Sequence, residues 1–232
     1  MIVILTGAGI SKDSGIATFR DSDGLWANHR IEDVCTPEAL VRNRSTVIDF
    51  YNQRRKELLE KEPNPAHYAL AELEQKLQDV YIITQNIDDL HERAGSHNII
   101  HLHGELRKLR SSRNDNAIVP IEGWKQEVDA RHEDGSLLRP HVVFFGEAVP
   151  NMEDAAQIAM QADIFVIIGT SLNVYPAAGL ASYVRPDVPI YIVDPADRNN
   201  VKSSYITNKI TYIQERAAVG VPKLVEDLLS EL

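Results

Sequence analysis

The chain has 232 residues, 25% charged and 44% apolar, with a formal net charge of −10, which suits one large α/β domain or a large domain with a small insertion. The acidic balance argues against non-specific binding to nucleic acid or an anionic membrane, no run approaches the ~20 apolar residues of a membrane span, and no signal peptide is visible. A single cysteine, Cys35, leaves no intrachain disulfide and no Cys-x-x-Cys metal knuckle, so a cytoplasmic protein is the simplest fit; the sequence does not fix the oligomeric state, and a monomer is the expectation.

The first strand-like run, residues 2–5, opens directly into TGAGISKDSGIATFRDSDGLW at 6–26. This looks like a phosphate loop leaving a strand, yet the fingerprint G-x-G-x-x-G is incomplete: Gly7 and Gly9 fit, and Lys12 stands at the third glycine. Helical patterns cover about 37–60, with Thr36 and Pro37 as N-cap and first-turn residue, and 66–77. A strand at 80–84, a helix at 87–94 and a strand at 98–102 follow. Residues 107–138 are mostly polar, with isolated Ile118, Val119, Ile121 and Trp124, and read as an excursion from the sheet held, if at all, by those apolar side chains. The remaining elements are strands at 141–145, 163–168 and 189–193, helices at 151–161 and 176–184, and a last helix at 221–231 opened by Pro222. Several strands are apolar without alternation, as parallel strands covered on both faces would be. The expected fold is therefore α/β: a Rossmann-like, mostly parallel sheet with helices on both faces, plus a small inserted lobe.

Ligands of such sheets bind at the carboxyl ends of strands. Four strand ends there carry polar or glycine-rich sequence: GAGIS at 7–11, TQNIDDLH at 84–91, HLHGE at 101–105 and GTS at 169–171. Gly7, Ala8 and Gly9 let backbone N–H groups approach a pyrophosphate, and Gly169, Thr170 and Ser171 offer a second such turn. His101 and His103 share a strand face, but no third metal ligand stands at a suitable spacing, and packing poorly explains a histidine before a glycine at a sheet edge. Asp88 and Asp89 are also what a helix start at 87–94 would favour.

Together, GAGIS with TFRDSDGLW, TQNID, His103-Gly104, RPHVVFFGE and GTSLNVYPA resemble, in order and spacing, the signature segments of the sirtuins, NAD-dependent protein deacylases. The resemblance covers essentially the whole chain. It implies a single catalytic domain over 1–232, with small-lobe elements at about 28–65 and 107–138 inserted in the NAD-binding core. It also implies NAD as cofactor, acylated-lysine proteins or peptides as substrates, and nicotinamide and O-acyl-ADP-ribose as products. His103 would be the general base, with Asn86 and Asp88 as catalytic partners. The cofactor loop would run from Gly7 to Trp26, including Ala8, Gly9, Ser11, Ile16, Phe19 and Arg20. Gln85, Asn86, Ile87 and Asp88 would border the ribose and nicotinamide. Gly169, Thr170, Ser171 and Ala217 would serve the adenosine side, and Asp194, in IVDPAD where the family usually has an asparagine-containing turn, would accept from ribose hydroxyls. The substrate peptide would lie between Val143, Phe144, Phe145, Gly146 and Glu147 on one side and Asn173 and Val174 on the other, added as a strand.

Two departures bear on subtype. Most sirtuins hold a structural zinc with four cysteines, whereas 107–138 has none, and Ser111 stands near the first ligand position. No metal is expected. Tyr51 and Arg54 are three apart on a predicted helix and so share a face; a phenol with a guanidinium makes a carboxylate clamp. Their Tyr-x-x-Arg pattern resembles the pair marking sirtuins that prefer succinyl- or malonyl-lysine, although two surface residues would look the same. The expected activity is NAD-dependent removal of succinyl, malonyl or acetyl groups from lysine, with protein ADP-ribosylation or a non-catalytic NAD sensor as alternatives.

Overall fold

The computed structural model describes residues 1–18, 30–172, 175–200 and 204–231. Its strands are β1 (Ile2–Thr6), β2 (Val80–Thr84), β3 (Ile99–His101), β4 (Gly104–Ser111), β5 (Ile118–Pro120), β6 (Leu138–Val142), β7 (Ile164–Ile168), β8 (Ile190–Val193) and β9 (Ile210–Ile213). Its helices are α1 (Ile31–Val34), α2 (Pro37–Arg42), α3 (Arg44–Leu59), α4 (Pro65–Leu77), α5 (Leu90–Ala94), α6 (Met152–Met160) and α7 (Ala217–Glu231).

Six strands make one sheet in the order β3-β2-β1-β7-β8-β9, with every pairing parallel. The non-alternating sequence of β1 follows from burial on both faces. Val3 and Leu5 face a cluster containing Ala155 and Ala159 of α6, while Ile2 and Ile4 face Leu70 and Leu73 of α4 and Leu224 and Leu228 of α7. Strand order reverses at β1, between β2 and β7, so the crevice of this sheet opens where Gly7 leaves β1.

Several elements depart from the sequence expectation. The helix expected over 37–60 is two helices, broken at Asn43, whose backbone (φ −146°, ψ 67°) is not helical. α5 starts at Leu90, leaving 85–89 as a loop that carries predicted site residues. Residues Ala177–Tyr183 form a 3-10 helix, and Pro222 lies inside α7 because that helix already begins at Ala217. β9 was hidden by its half-buried, mixed sequence ITYI. The run at 141–145 is strand only through Val142 and belongs to a second sheet, β5-β4-β6, which is antiparallel.

This second sheet is the small lobe, and apolar packing of 107–138 does not hold it: Ile118 is 41% and Trp124 37% exposed. A buried arginine does that work instead. Arg55 of α3 is fully buried and donates to the carbonyls of Leu106 and Trp124, to Asn52 Oδ1 and to Gln126 Oε1. Asn52 completes the tie by bonding both backbone groups of Gln126. Burial lowers the Arg55 guanidinium to about 10, still charged at neutral pH, so removing any partner would leave a buried charge exposed to its full desolvation cost. Val47, Phe50, Tyr51, Leu58, Leu106 and Phe144 supply the lobe's own apolar core.

Candidate active site

The parallel sheet brings the four predicted strand ends to one edge. Gly7 and Gly9 hydrogen-bond the backbone of Ile168 and Gly169, and a Cβ on Gly9 would sit 2.6 Å from the Gly169 Cα. Only glycine allows these two loops to touch. Gln85 Nε2 donates to Thr170 Oγ1 at 3.2 Å, joining the β2 end to the GTS turn. Ala8 lies in a short 3-10 turn with Gly9, Ile16 packs against the lobe core, and Ser171 is half-buried. The α4 N-cap, Asn64, reaches across to the Ile10 carbonyl and Ser14 Oγ, anchoring the loop after β1.

At the centre is a buried polar cluster. Asn86 Nδ2 donates to the Gly7 carbonyl and to Ser11 Oγ, and Ser11 donates to Asp88 Oδ2 at 2.9 Å. Burial pushes the Asp88 carboxyl up to about 6, although the Leu90 amide and the Ser11 hydroxyl pull the other way. Asp88 thus ionises just below neutral pH, in the range where acid–base groups operate.

His103 follows β3 and precedes Gly104, whose φ of +81° and approach to the His141 carbonyl (2.1 Å from an added Cβ) exclude any side chain. Its Nδ1 lies 2.9 Å from the Gln85 carbonyl. A carbonyl can only accept, so Nδ1 carries the hydrogen and Nε2 carries the lone pair. Burial lowers the His103 pKa, with partial opposition from the Gln85 carbonyl, so the ring is neutral at neutral pH. The Val143 amide bonds the His103 carbonyl at 2.9 Å, which puts the predicted substrate segment beside the predicted base.

The other predicted residues divide. Phe145 is 49% exposed and Gly146 is exposed, whereas Phe144 is buried on Tyr51 and Glu147 is tied down by Arg139 and by the Phe144 amide. Ile87 packs in the lobe core and accepts from Leu106 through its carbonyl. Asp194, at the end of β8, accepts from the Ala196 amide, and burial raises its pKa. Ala217 is buried as the first residue of α7. Tyr51 and Arg54 each have other partners: the buried Tyr51 hydroxyl donates to Cys35 Sγ at 3.3 Å, and Arg54 pairs with Glu57 at 2.8 Å. Phe19, Arg20, Trp26, Asn173 and Val174 lie outside the described residues.

Where the zinc cysteines of most sirtuins would fall, Ser111 Oγ donates to Asp134 Oδ2, shares a 2.7 Å bond with Ser136 Oγ, and accepts from the Arg113 and Asn114 amides. These oxygens are occupied and hard, so they do not fit a tetrahedral thiolate zinc. The one group of potential metal ligands among the described residues is Glu92, His101 and Glu105. Each is already paired: His101 Nε2 with Glu92 at 2.6 Å, and Glu105 with Lys108 at 2.7 Å. Sequence reasoning missed Glu92 and Asn64, though Asn64-Pro65 is a readable N-cap with proline at the first helical position.

The family model described as Sir2 matches residues 7–176. The chain belongs to the Sir2 family. A protein from Aggregatibacter actinomycetemcomitans, named NAD-dependent protein deacylase, is 56% identical over 83% of this chain and 92% of its own. One of the same name from Bacteroides thetaiotaomicron is 49% identical over 98% and 97%. Among solved structures, a Sir2 homologue in complex with NAD is 36% identical with a TM-score of 0.87, covering 99% of this chain and 90% of that one. A Sir2 protein described with a deacetylated p53 peptide and 3'-O-acetyl ADP-ribose is 29% identical with a TM-score of 0.78, covering 100% and 93%.

Proposed function

We propose that this sirtuin removes acyl groups from protein lysines with NAD as co-substrate, and that succinyl and malonyl groups are its preferred cargo. The observation that carries the activity is the fixed tautomer of His103, a neutral base with its lone pair on Nε2, beside the buried Ser11–Asn86–Asp88 cluster at the sheet edge. When bound, NAD supplies a ribose whose bond to nicotinamide breaks as positive charge develops at carbon. A buried carboxylate at Asp88 and oriented amide dipoles at Asn86 are what such a charge requires. Gly7 to Ser11 and Gly169 to Ser171 would hold the cofactor's phosphates and adenosine, and His103 would take a ribose hydroxyl proton at Nε2.

The acyl preference rests on Arg54, whose Nε is buried with no hydrogen-bond partner among the described residues and whose pair with Glu57 lies on the surface. A free carboxylate is what would satisfy it. A lone cysteine, held as a buried free thiol, suits a reducing compartment such as the cytoplasm, and no helix of the described residues is long and apolar enough to cross a membrane.

Matched acetyl-, malonyl- and succinyl-lysine peptides with NAD test the reading, with nicotinamide and O-acyl-ADP-ribose as the measured products. Stable label on a protein acceptor would assign ADP-ribosyl transfer instead, and no nicotinamide release would assign a sensor.

A further inference from the structure

Two histidines, His101 and His103, clamp two successive carbonyls of the loop that leaves β2. His103 Nδ1 holds the Gln85 carbonyl at 2.9 Å, and His101 Nδ1 holds the Asn86 carbonyl at 3.2 Å. The rings differ at their second nitrogen. On His101 it faces Glu92 Oε1 at 2.6 Å, from α5.

We propose that His101 is a positioning residue for the reaction: held by Glu92, it fixes the Asn86 carbonyl and so the direction in which Asn86 and Asp88 present their side chains. This rests on the reading of Asn86 and Asp88 as parts of the NAD site. The geometry carries it. Both acceptors around His101, a carbonyl and a carboxylate, lack hydrogens to give, so both bonds form only when both ring nitrogens carry one. The ring is therefore an imidazolium strung between the loop and α5, unlike the neutral ring of His103. Its backbone is equally constrained: His101 pairs with Thr84 in the parallel register, and its carbonyl accepts from Asn151 Nδ2 at 2.8 Å. A rigid strand thus holds the start of a loop whose other main-chain ties are the Gln85 amide to the Thr6 carbonyl, the Asn86 amide to Thr84 Oγ1, the Ile87 carbonyl to the Leu106 amide and the Asp89 carbonyl to the Arg93 amide.

The surrounding charges agree. Burial alone would lower the His101 pKa, but Glu92, then Glu105 of β4 and the Asn86 carbonyl, raise it above its ordinary value. Glu105 carries Lys108 as partner, and His141 of β6 and His91 of α5 are both held neutral, chiefly by burial. Asp88 also feels the imidazolium, which pulls its carboxyl downward against the dominant effect of burial.

Two substitutions separate the ring's two bonds. The amide of His101→Asn reaches the Nδ1 position and keeps the tie to Asn86, whereas that of His101→Gln reaches the Nε2 position and keeps only Glu92. Turnover of acyl-lysine peptide, KM for NAD and Tm are measured for both. His101→Gln should lose about ten- to a hundredfold in kcat, and His101→Asn should stay within a few fold of wild type at comparable Tm. Equal losses in the two variants, or none in either, overturn the proposal. Imidazole nitrogen NMR of the wild-type protein gives a second reading that needs no variant to fold. His101 should stay doubly protonated at neutral pH, while His103 shows a single proton on Nδ1; a neutral His101 overturns the clamp. Absence of turnover in the wild-type enzyme would instead count against the deacylase reading, and the NMR result would still decide the clamp.

Discussion

His103 and Gln85 are joined through the ring Nδ1 and the Gln85 carbonyl, 2.9 Å apart, so the tautomer of the proposed base is set by the loop that also carries Asn86. His103→Ala should therefore keep NAD binding while losing at least ~10²-fold in deacylation, the usual scale for a lost general base. Calorimetric NAD affinity alongside peptide turnover checks this. Near-normal turnover would remove His103 from the mechanism.

Asp88 sets activity against stability. Its folded pKa is raised from 3.8 to about 6 by burial, so the folded state favours the protonated form. The sign follows: this contribution is fully present below the unfolded pKa near 4 and is lost as pH rises through about 6. Asp88→Asn, which cannot ionise, should be more stable than wild type at pH 8 by up to about 3 kcal/mol, with no advantage at pH 4. It should also be nearly inactive. Denaturant midpoints at the two pH values test it, and an Asp88→Asn variant weaker than wild type at pH 8 would mean that the lost charge-assisted bonds outweigh burial.

His67 works in the opposite direction. It is the third helical residue of α4 and closes a capping box by accepting from the Asn64 amide, and burial depresses its pKa from 6.5 to about 4. The stability this provides is present above pH 6.5 and lost between pH 6.5 and 4, because the unfolded chain takes up a proton that the folded chain refuses. Glutamine is the usual residue at that capping position and does not titrate. His67→Gln should match wild type at pH 8 and lose less Tm on going to pH 5, the full difference being up to about 3 kcal/mol. A steeper acid loss in the variant would show that the capping bond, not the titration, dominates.

The parallel strands and their glycine loops were readable because burial on both faces leaves an unbroken apolar run such as IVILT, and because parallel strands share a carboxyl edge. The lobe was not. Its order depends on Arg55, Arg110 and Arg139, all buried, and hydropathy counts each of them as surface. For the same reason β4, GELRKLRS, reads as a charged loop although five of its eight residues are buried. Tyr51 and Arg54 were correctly placed on a helix, but which partners they meet depends on Cys35 and Glu57, and helical spacing alone could not choose between these and each other.

Metal removal should do nothing. With Ser111, Asp134 and Ser136 bonded to one another, the lobe's turns are pinned without thiolates. Purified protein should contain no stoichiometric zinc, and chelator should leave Tm and activity unchanged. Ser111→Ala should instead destabilise by roughly 1–3 kcal/mol, since it strips an acceptor from two amides and a donor from a carboxylate. One zinc per chain by elemental analysis would overturn this account.

On the proposed preference for acidic acyl groups, acyl choice would be a competition for Arg54. In the absence of substrate its guanidinium lies on Glu57, three residues along α3, an arrangement worth about 0.2–1 kcal/mol where the carboxylate is exposed. A succinyl carboxylate would meet the unpartnered Nε and compete with Glu57, bonded at Nη2, for the same guanidinium charge. Arg54→Met should then raise KM for succinyl-lysine substrate about ten- to a hundredfold, the equivalent of one charge-assisted bond of roughly 1.5–3 kcal/mol, with little change for acetyl-lysine. Glu57→Gln should act in the opposite sense and lower the succinyl KM by up to about fivefold, because the competitor loses its charge. Tyr51→Phe should shift preference less than Arg54→Met, since its buried hydroxyl is already given to Cys35. Steady-state kinetics on paired succinyl and acetyl peptides decide the matter. Parallel losses on both substrates in Arg54→Met would make this face of α3 structural and withdraw the preference for acidic acyl groups, leaving the family assignment in place.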